Sequence, residues 1–114
     1  MTVQSTPPHA PGRPSDCRLL AALAALHCRY GRFERAQSFV NLSLWIDPAH
    51  RATLKIAAVL SLRDLQPGLA LSYTDRLAAI GSLEPELAAL RRRAVAMRRL
   101  MQRRALADTG PLSI

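Results

Sequence analysis

Aromatic side chains are scarce in this chain: one tryptophan, two tyrosines and two phenylalanines make up 4% of 114 residues, although 49% of the residues are apolar. A core must therefore be built mainly from leucine, alanine, valine and isoleucine. Alanine and leucine favour helix, because both lose little side-chain freedom there. Lysine is nearly missing too, with Lys55 standing against fifteen arginines. Cysteine is confined to Cys17 and Cys28. In a single helix they lie roughly 16 Å apart at about 1.5 Å rise per residue. That separation is beyond disulfide reach, and the spacing suits no zinc motif.

Other absences narrow the function classes. The five glycines never gather into a phosphate-cradling loop. His9 lies in a proline-rich arm, and neither His27 nor His50 has a carboxylate or cysteine at ligand spacing. Ser38, Ser43 and Asp47 are close in sequence but read as surface, helix-crossing and helix-end residues. The expectation is a protein that is not an enzyme and carries no cofactor or metal. No apolar run approaches the roughly 18–20 residues that span a bilayer, and no charged region followed by an apolar segment opens the chain. A cytoplasmic protein with reduced thiols is expected.

What is present is helical punctuation. Residues 1–15 carry Pro7, Pro8, Pro11, Gly12 and Pro14, which predicts a disordered or extended arm. Ser15 or Asp16 then suits an N-cap. A first helix is expected over 16–30, with Leu19, Leu20, Leu23 and Leu26 on its apolar side and Gly31 as its stop. A second runs over 33–46, with Ala36, Phe39, Val40 and Ser43 on one side, until Asp47-Pro48 closes it. A third covers 49–62 and carries Leu54, Ala57, Ala58 and Val59. Gln66-Pro67-Gly68 breaks the chain before a fourth helix over 69–80, which Gly81 ends. The fifth begins at Glu84-Pro85-Glu86 and runs to about residue 106, with a seam of Leu87, Leu90, Ala94, Met97 and Met101. Short connections pack such helices as antiparallel hairpins. The expected fold is all-α: one helical domain over 16–107 made of two hairpins and a closing helix, with a flexible tail over 108–114.

Charge is uneven along this layout. The formal net charge is +8, yet residues 91–104 hold seven arginines and no acid, which leaves nine basic and eight acidic residues elsewhere. The body is nearly neutral, and the excess sits on the closing helix. A solvated face, a dock for an acidic partner and a nucleic-acid surface all fit such a segment. It contains no aromatic residue for base stacking. Trp45 reads as packing at a hairpin junction.

The stretch "YGRFERAQSFVNLSLWIDPAH", residues 30–50, resembles the turn and second helix of a tetratricopeptide repeat, a 34-residue helical hairpin. With Cys17 as the first position, Leu20, Leu23, Ala24, Ala36, Val40, Ser43 and Pro48 fall on the repeat's apolar, small and proline positions, and His27 stands where an aromatic is usual. Residues 51–84 resemble a second, degraded copy through Leu54, Ala57, Ala58 and Ala70. Here the glycine before the second helix is displaced, and Pro85 falls three residues late. The resemblance implies that the first helix of each hairpin lines a concave groove. It assigns Arg18, Ala21, Ala25, Cys28 and Arg29 to that groove from the first repeat, and Ala52, Lys55, Val59, Leu62 and Arg63 from the second. The implied site is a floor of small residues with four basic rims, suited to an apolar helix flanked by acids.

Over residues 17–106 the layout resembles the small tetratricopeptide-like chaperones of bacterial type III secretion systems, of the YscY-like and YscG-like types. That resemblance implies a cytosolic heterodimer or heterotrimer. It would bind a secreted or needle-type subunit as a helix, with a second small chaperone as a further partner, before assembly. The rival expectation is a small basic helical protein that binds nucleic acid through the arginines of 91–104.

Overall fold

The structure, a computed structural model, describes residues 14–82 and 84–109. Apart from Pro14 and Ser15, the expected arm lies outside the described residues, as does the expected tail from residue 110 onward. Five helices follow in order: α1 (Pro14–Arg29), α2 (Phe33–Ile46), α3 (Arg51–Arg63), α4 (Pro67–Ala79) and α5 (Pro85–Thr109). No strand occurs among the described residues. Helix α1 packs on α2 and α3 on α4, which makes two hairpins, and α5 closes against α4. Helix α3 also touches both α1 and α5. The first helices of the hairpins and the closing helix therefore lie side by side.

The turns explain the hairpins. Gly31 (φ 73°), Leu65 (φ 59°) and Gly81 (φ 83°) all adopt left-handed backbone. At each, two hydrogen bonds close the preceding helix. They are Arg32 N–H to the His27 carbonyl (2.8 Å) and Gly31 to Cys28 (3.1 Å), then Gln66 to Ser61 (2.8 Å) and Leu65 to Leu62 (3.1 Å). The last pair joins Ser82 to Leu77 and Gly81 to Ala78, both 3.0 Å. This pattern satisfies carbonyls that a helix end leaves unpaired. Gly31 and Leu65 are 34 residues apart, as the sequence period predicts. In the second hairpin, however, a leucine occupies the left-handed position, and Gly68 sits in the first turn of α4. The α2–α3 link differs: Asp47 is extended before Pro48, and its Oδ1 accepts the Ala49 N–H at 3.0 Å. At the chain's beginning, α1 starts at Pro14 rather than after a Ser15 or Asp16 cap. Proline suits a first helical turn because its φ is preset and its missing donor is not needed.

Small residues hold the helices together. Ala24, Ala36, Ala58, Ala70 and Ala94 are fully buried, and Ala57 is almost so. Ala24 and Ala36 face Val40, Ala57 and Leu60 in one cluster; Ala58 and Ala70 face Leu62, Leu71, Leu90 and Ala94 in another. Where the helices cross, Ser43 Oγ and Thr53 Oγ1 pair at 2.7 Å, and His50 Nδ1 lies 2.8 Å from the same threonine oxygen. These buried hydroxyls are satisfied, so they do not penalise the junction. The His27 ring stacks on Phe39 with centroids 5.2 Å apart, which fills the place of an aromatic.

One face assignment is corrected. Helix α1 turns Cys17, Ala21 and Ala24 inward, while Leu19 and Leu26 are exposed and Leu20 and Leu23 are half-buried. Close approach to α2 selects the small side of α1. Its leucine side is left where a preceding hairpin would stack, and Tyr30 extends that outward stripe.

Two stability outcomes follow. Ala36→Leu overpacks the α1–α2 crossing and should cost about 1–3 kcal/mol or more in urea unfolding. Gln37→Leu, on the neighbouring position where Nε2 only bonds Asn41 Oδ1 at 2.8 Å, should be nearly neutral. Equal tolerance at both sites would remove the alanine crossing as the cause of hairpin closure. Leu65→Gly should raise stability by up to about 1 kcal/mol, since relief of left-handed strain exceeds glycine's added chain entropy. Leu65 is 62% exposed, so little burial is lost. A lowered unfolding midpoint would contradict the strained turn.

Candidate functional site: a groove across α1, α3 and α5

Ala25 and Cys28 of α1 and Lys55, Ile56 and Val59 of α3 line a largely apolar depression of about 210 Å³. Lys55 and Val59 also wall a second depression of about 300 Å³, whose other side is Glu86, Ala89, Leu90 and Arg93 of α5. The shared residues join the two into one groove across three helices. It exists because α1, α3 and α5 stand in a row and present short side chains, Ala25 and Ala89, along it. Val59 stands 48% exposed at the centre.

The groove gathers some of the expected residues and not others. Ala25, Cys28, Lys55 and Val59 meet there. Ala21 and Leu62 are each only 4% exposed and belong to the core, so they offer no surface to a partner. Leu62 is covered because α4 crosses α3 closely through Ala70 and Leu71. Arg18, Arg29 and Ala52 are exposed but line neither depression. Arg63 turns toward α2, with its guanidinium carbon 3.5 Å from the centre of the Phe33 ring.

Sequence reasoning missed the contribution of α5. The signal was available, since a further 34-residue step from Ala52, Lys55 and Val59 lands on Glu86, Ala89 and Arg93. Ile56 was missed as well, because the assigned lining positions step over it.

The expected basic rim is corrected in the same way. Lys55 is bound in an ion pair with Glu84 at the start of α5, both side chains about one-third exposed. The Lys55 hydrogen bond holds the Glu84 carboxyl below its ordinary range, with the Lys55 and Arg51 charges adding to it. Glu86 brings an acid to the wall and Arg93 a base. The floor remains neutral, for burial pushes the Cys28 thiol up against the opposing charge of Arg63. The groove is thus apolar with a rim of both signs.

Outside it, the arginine-rich helix divides in two. Arg91 donates to Thr74 Oγ1 at 3.1 Å and pairs with Asp75, which pins α5 to α4. Arg92, Arg93, Arg98, Arg99, Arg103 and Arg104 are exposed. Trp45 does not pack at a junction as expected. It is 72% exposed on α2, opposite the side that buries Ala36, Val40 and Ser43. Among the described residues no group of three or more His, Cys, Asp or Glu could hold a metal, and no helix is long and apolar enough to cross a membrane.

The Lys55–Glu84 pair ties α3 to α5 and has a definite pH signature. A carboxyl lowered in the folded state stabilises above its ordinary value of 4.5 and loses that contribution as pH falls through the lowered folded value. Wild type should therefore exceed Glu84→Gln in urea midpoint near neutrality, and the gap should close on acidification. A gap independent of pH would mean that the ion pair does not carry the linkage.

Comparison with known proteins leaves the reading to this geometry: no family model, no curated protein and no solved structure matches the chain.

Proposed function

We propose that this chain is a non-enzymatic binding module that holds one helix of a partner protein in the groove between α1, α3 and α5. The observation that carries the reading is the pair of largely apolar depressions that share Lys55 and Val59 and together cross three adjacent helices. A groove of that kind accepts an amphipathic helix laid along its floor, with anchors at helical spacing. Helical hairpins stacked one after another bury their apolar faces only against neighbours, so a short stack is stabilised by whatever covers its open surface.

Within this reading, the resemblance over residues 17–106 favours a tetratricopeptide-like chaperone of a bacterial type III secretion system acting in the cytoplasm. Its cargo would be a secreted or needle-type subunit whose helix is withheld from premature self-assembly. The paired Lys55 and the mixed Glu86 and Arg93 rim give groove binding little dependence on salt.

Ala25→Glu places a charged, bulky side chain on the floor, where desolvation and overlap both oppose docking. Purification from the native cell followed by mass spectrometry should recover a secreted structural subunit with wild type. With Ala25→Glu, recovery should fall by about 10-fold or more, while the circular dichroism of the free protein is unchanged. Undiminished capture by Ala25→Glu, or recovery of RNA or DNA in place of a protein, would overturn the groove as the site.

A further inference from the structure

The outer face of α5 is a second surface with its own chemistry. Arg91, Arg92, Val95, Ala96 and Arg99 line a depression of about 300 Å³ there. Arg91 is already committed to α4 through Thr74 and Asp75, which marks the α4 side of the depression. Val95 is half-buried against the Ala58–Leu62–Ala70 cluster and forms its floor, and Ala96 is exposed beside it. Arg92, Arg99 and Arg103 recur at i, i+7 and i+11, so they share one helical face, and all three are exposed. The only acid from Leu87 to Thr109 is Asp108.

The position in the fold is as telling as the charge. Helix α1 has α2 and α3 has α4 as hairpin partner, whereas α5 has no following helix among the described residues. The depression lies beside α4, on the side where such a helix would pack.

We propose that this face docks a second partner element: an acidic amphipathic helix that packs beside α5 in the manner of a hairpin's second helix. Its apolar residues would rest on Val95 and Ala96, and its carboxylates would meet Arg92, Arg99 and Arg103. Charge complementarity selects this occupant. A second copy of the chain would set its own arginine face against this one, which like-charge repulsion opposes. A nucleic acid would use the arginines but leave the Val95–Ala96 floor unused, and α5 offers no aromatic for base stacking. The surface is independent of the groove, because Arg92, Ala96, Arg99 and Arg103 line neither groove depression.

The test uses the full chain and a labelled synthetic peptide of about 20 residues, helical, with leucine along one face and glutamate on its flanks. Fluorescence anisotropy is read for this peptide, for polyglutamate and for a short DNA duplex, at about 50 and about 200 mM salt. The leucine–glutamate helix should bind wild type, more weakly at the higher salt, and more tightly than polyglutamate. Arg92→Glu/Arg99→Glu should weaken it by about 10-fold or more, while Ala25→Glu leaves it unchanged. Ala96→Arg separates the classes of ligand. It adds positive charge but fills the floor, so it should weaken the helix and strengthen a purely electrostatic ligand. Circular dichroism of each variant, expected to match wild type, ensures that lost binding is not lost fold. The proposal is overturned if polyglutamate or the duplex binds as tightly as the amphipathic helix. A gain of helix affinity in Ala96→Arg, or loss of binding in Ala25→Glu, would overturn it equally.

Discussion

Close approach of helix backbones at alanine is the constraint from which the rest of this structure follows. With so few aromatics, the chain cannot wedge its helices around large rings; it brings them together until Ala24 meets Ala36 and Ala58 meets Ala70. Interiors are packed as densely as organic crystals, so small residues at a crossing demand short interaxial distances along the neighbouring turns as well. That demand explains why the hydroxyls of Ser43 and Thr53 are enclosed and paired. It also explains why the alanine side of α1 faces the body and its larger leucines do not. The left-handed turns at Gly31 and Leu65 serve the same end, reversing the chain tightly enough for adjacent helices to touch.

The row of α1, α3 and α5 is a consequence of that hairpin geometry. Second helices stand behind first helices, so the first helices share one side and leave a shallow groove between them. Its electrostatics are settled inside the molecule. Lys55 serves the join between α3 and α5 through Glu84, and Arg63 covers Phe33. Of the four basic residues expected at the rim, these two hold helices in place while Arg18 and Arg29 are exposed outside the depressions, and the surface left in the groove is mainly apolar.

The arginines of α5 follow a different logic. Arg91 secures the helix to α4, and the rest extend along a helix whose residues from Arg98 to Asp108 are all exposed. Arg99 and Arg103 stand at i and i+4, a like-charge spacing that weakens a helix left alone. Two exposed regions, the Leu19–Leu26–Tyr30 stripe and the Arg92–Arg99–Arg103 face of α5, lie at the first and last helices of the row. They are opposite in kind, one apolar and one basic.

Much of this was legible in the sequence because local rules govern it. Proline and glycine positions marked four helix breaks, the α2 bounds were read to the residue, and the 34-residue step from Ala24 to Ala58 and from Ala36 to Ala70 announced the hairpins. The displaced glycine was noticed, but only the backbone revealed that Leu65 takes the left-handed position itself. Periodicity alone could not tell which apolar side of α1 faces inward, because Leu19 and Leu26 form as regular a stripe as Cys17, Ala21 and Ala24. Nor could it tell a groove cation from a structural one, since Lys55 and Glu84 are 29 residues apart in sequence. Helix ends and repeats are written in neighbouring residues. Burial of Ala21 and Leu62, exposure of Trp45 and the pairing of Lys55 depend on which helix arrives from elsewhere in the chain, and only the tertiary structure decided that.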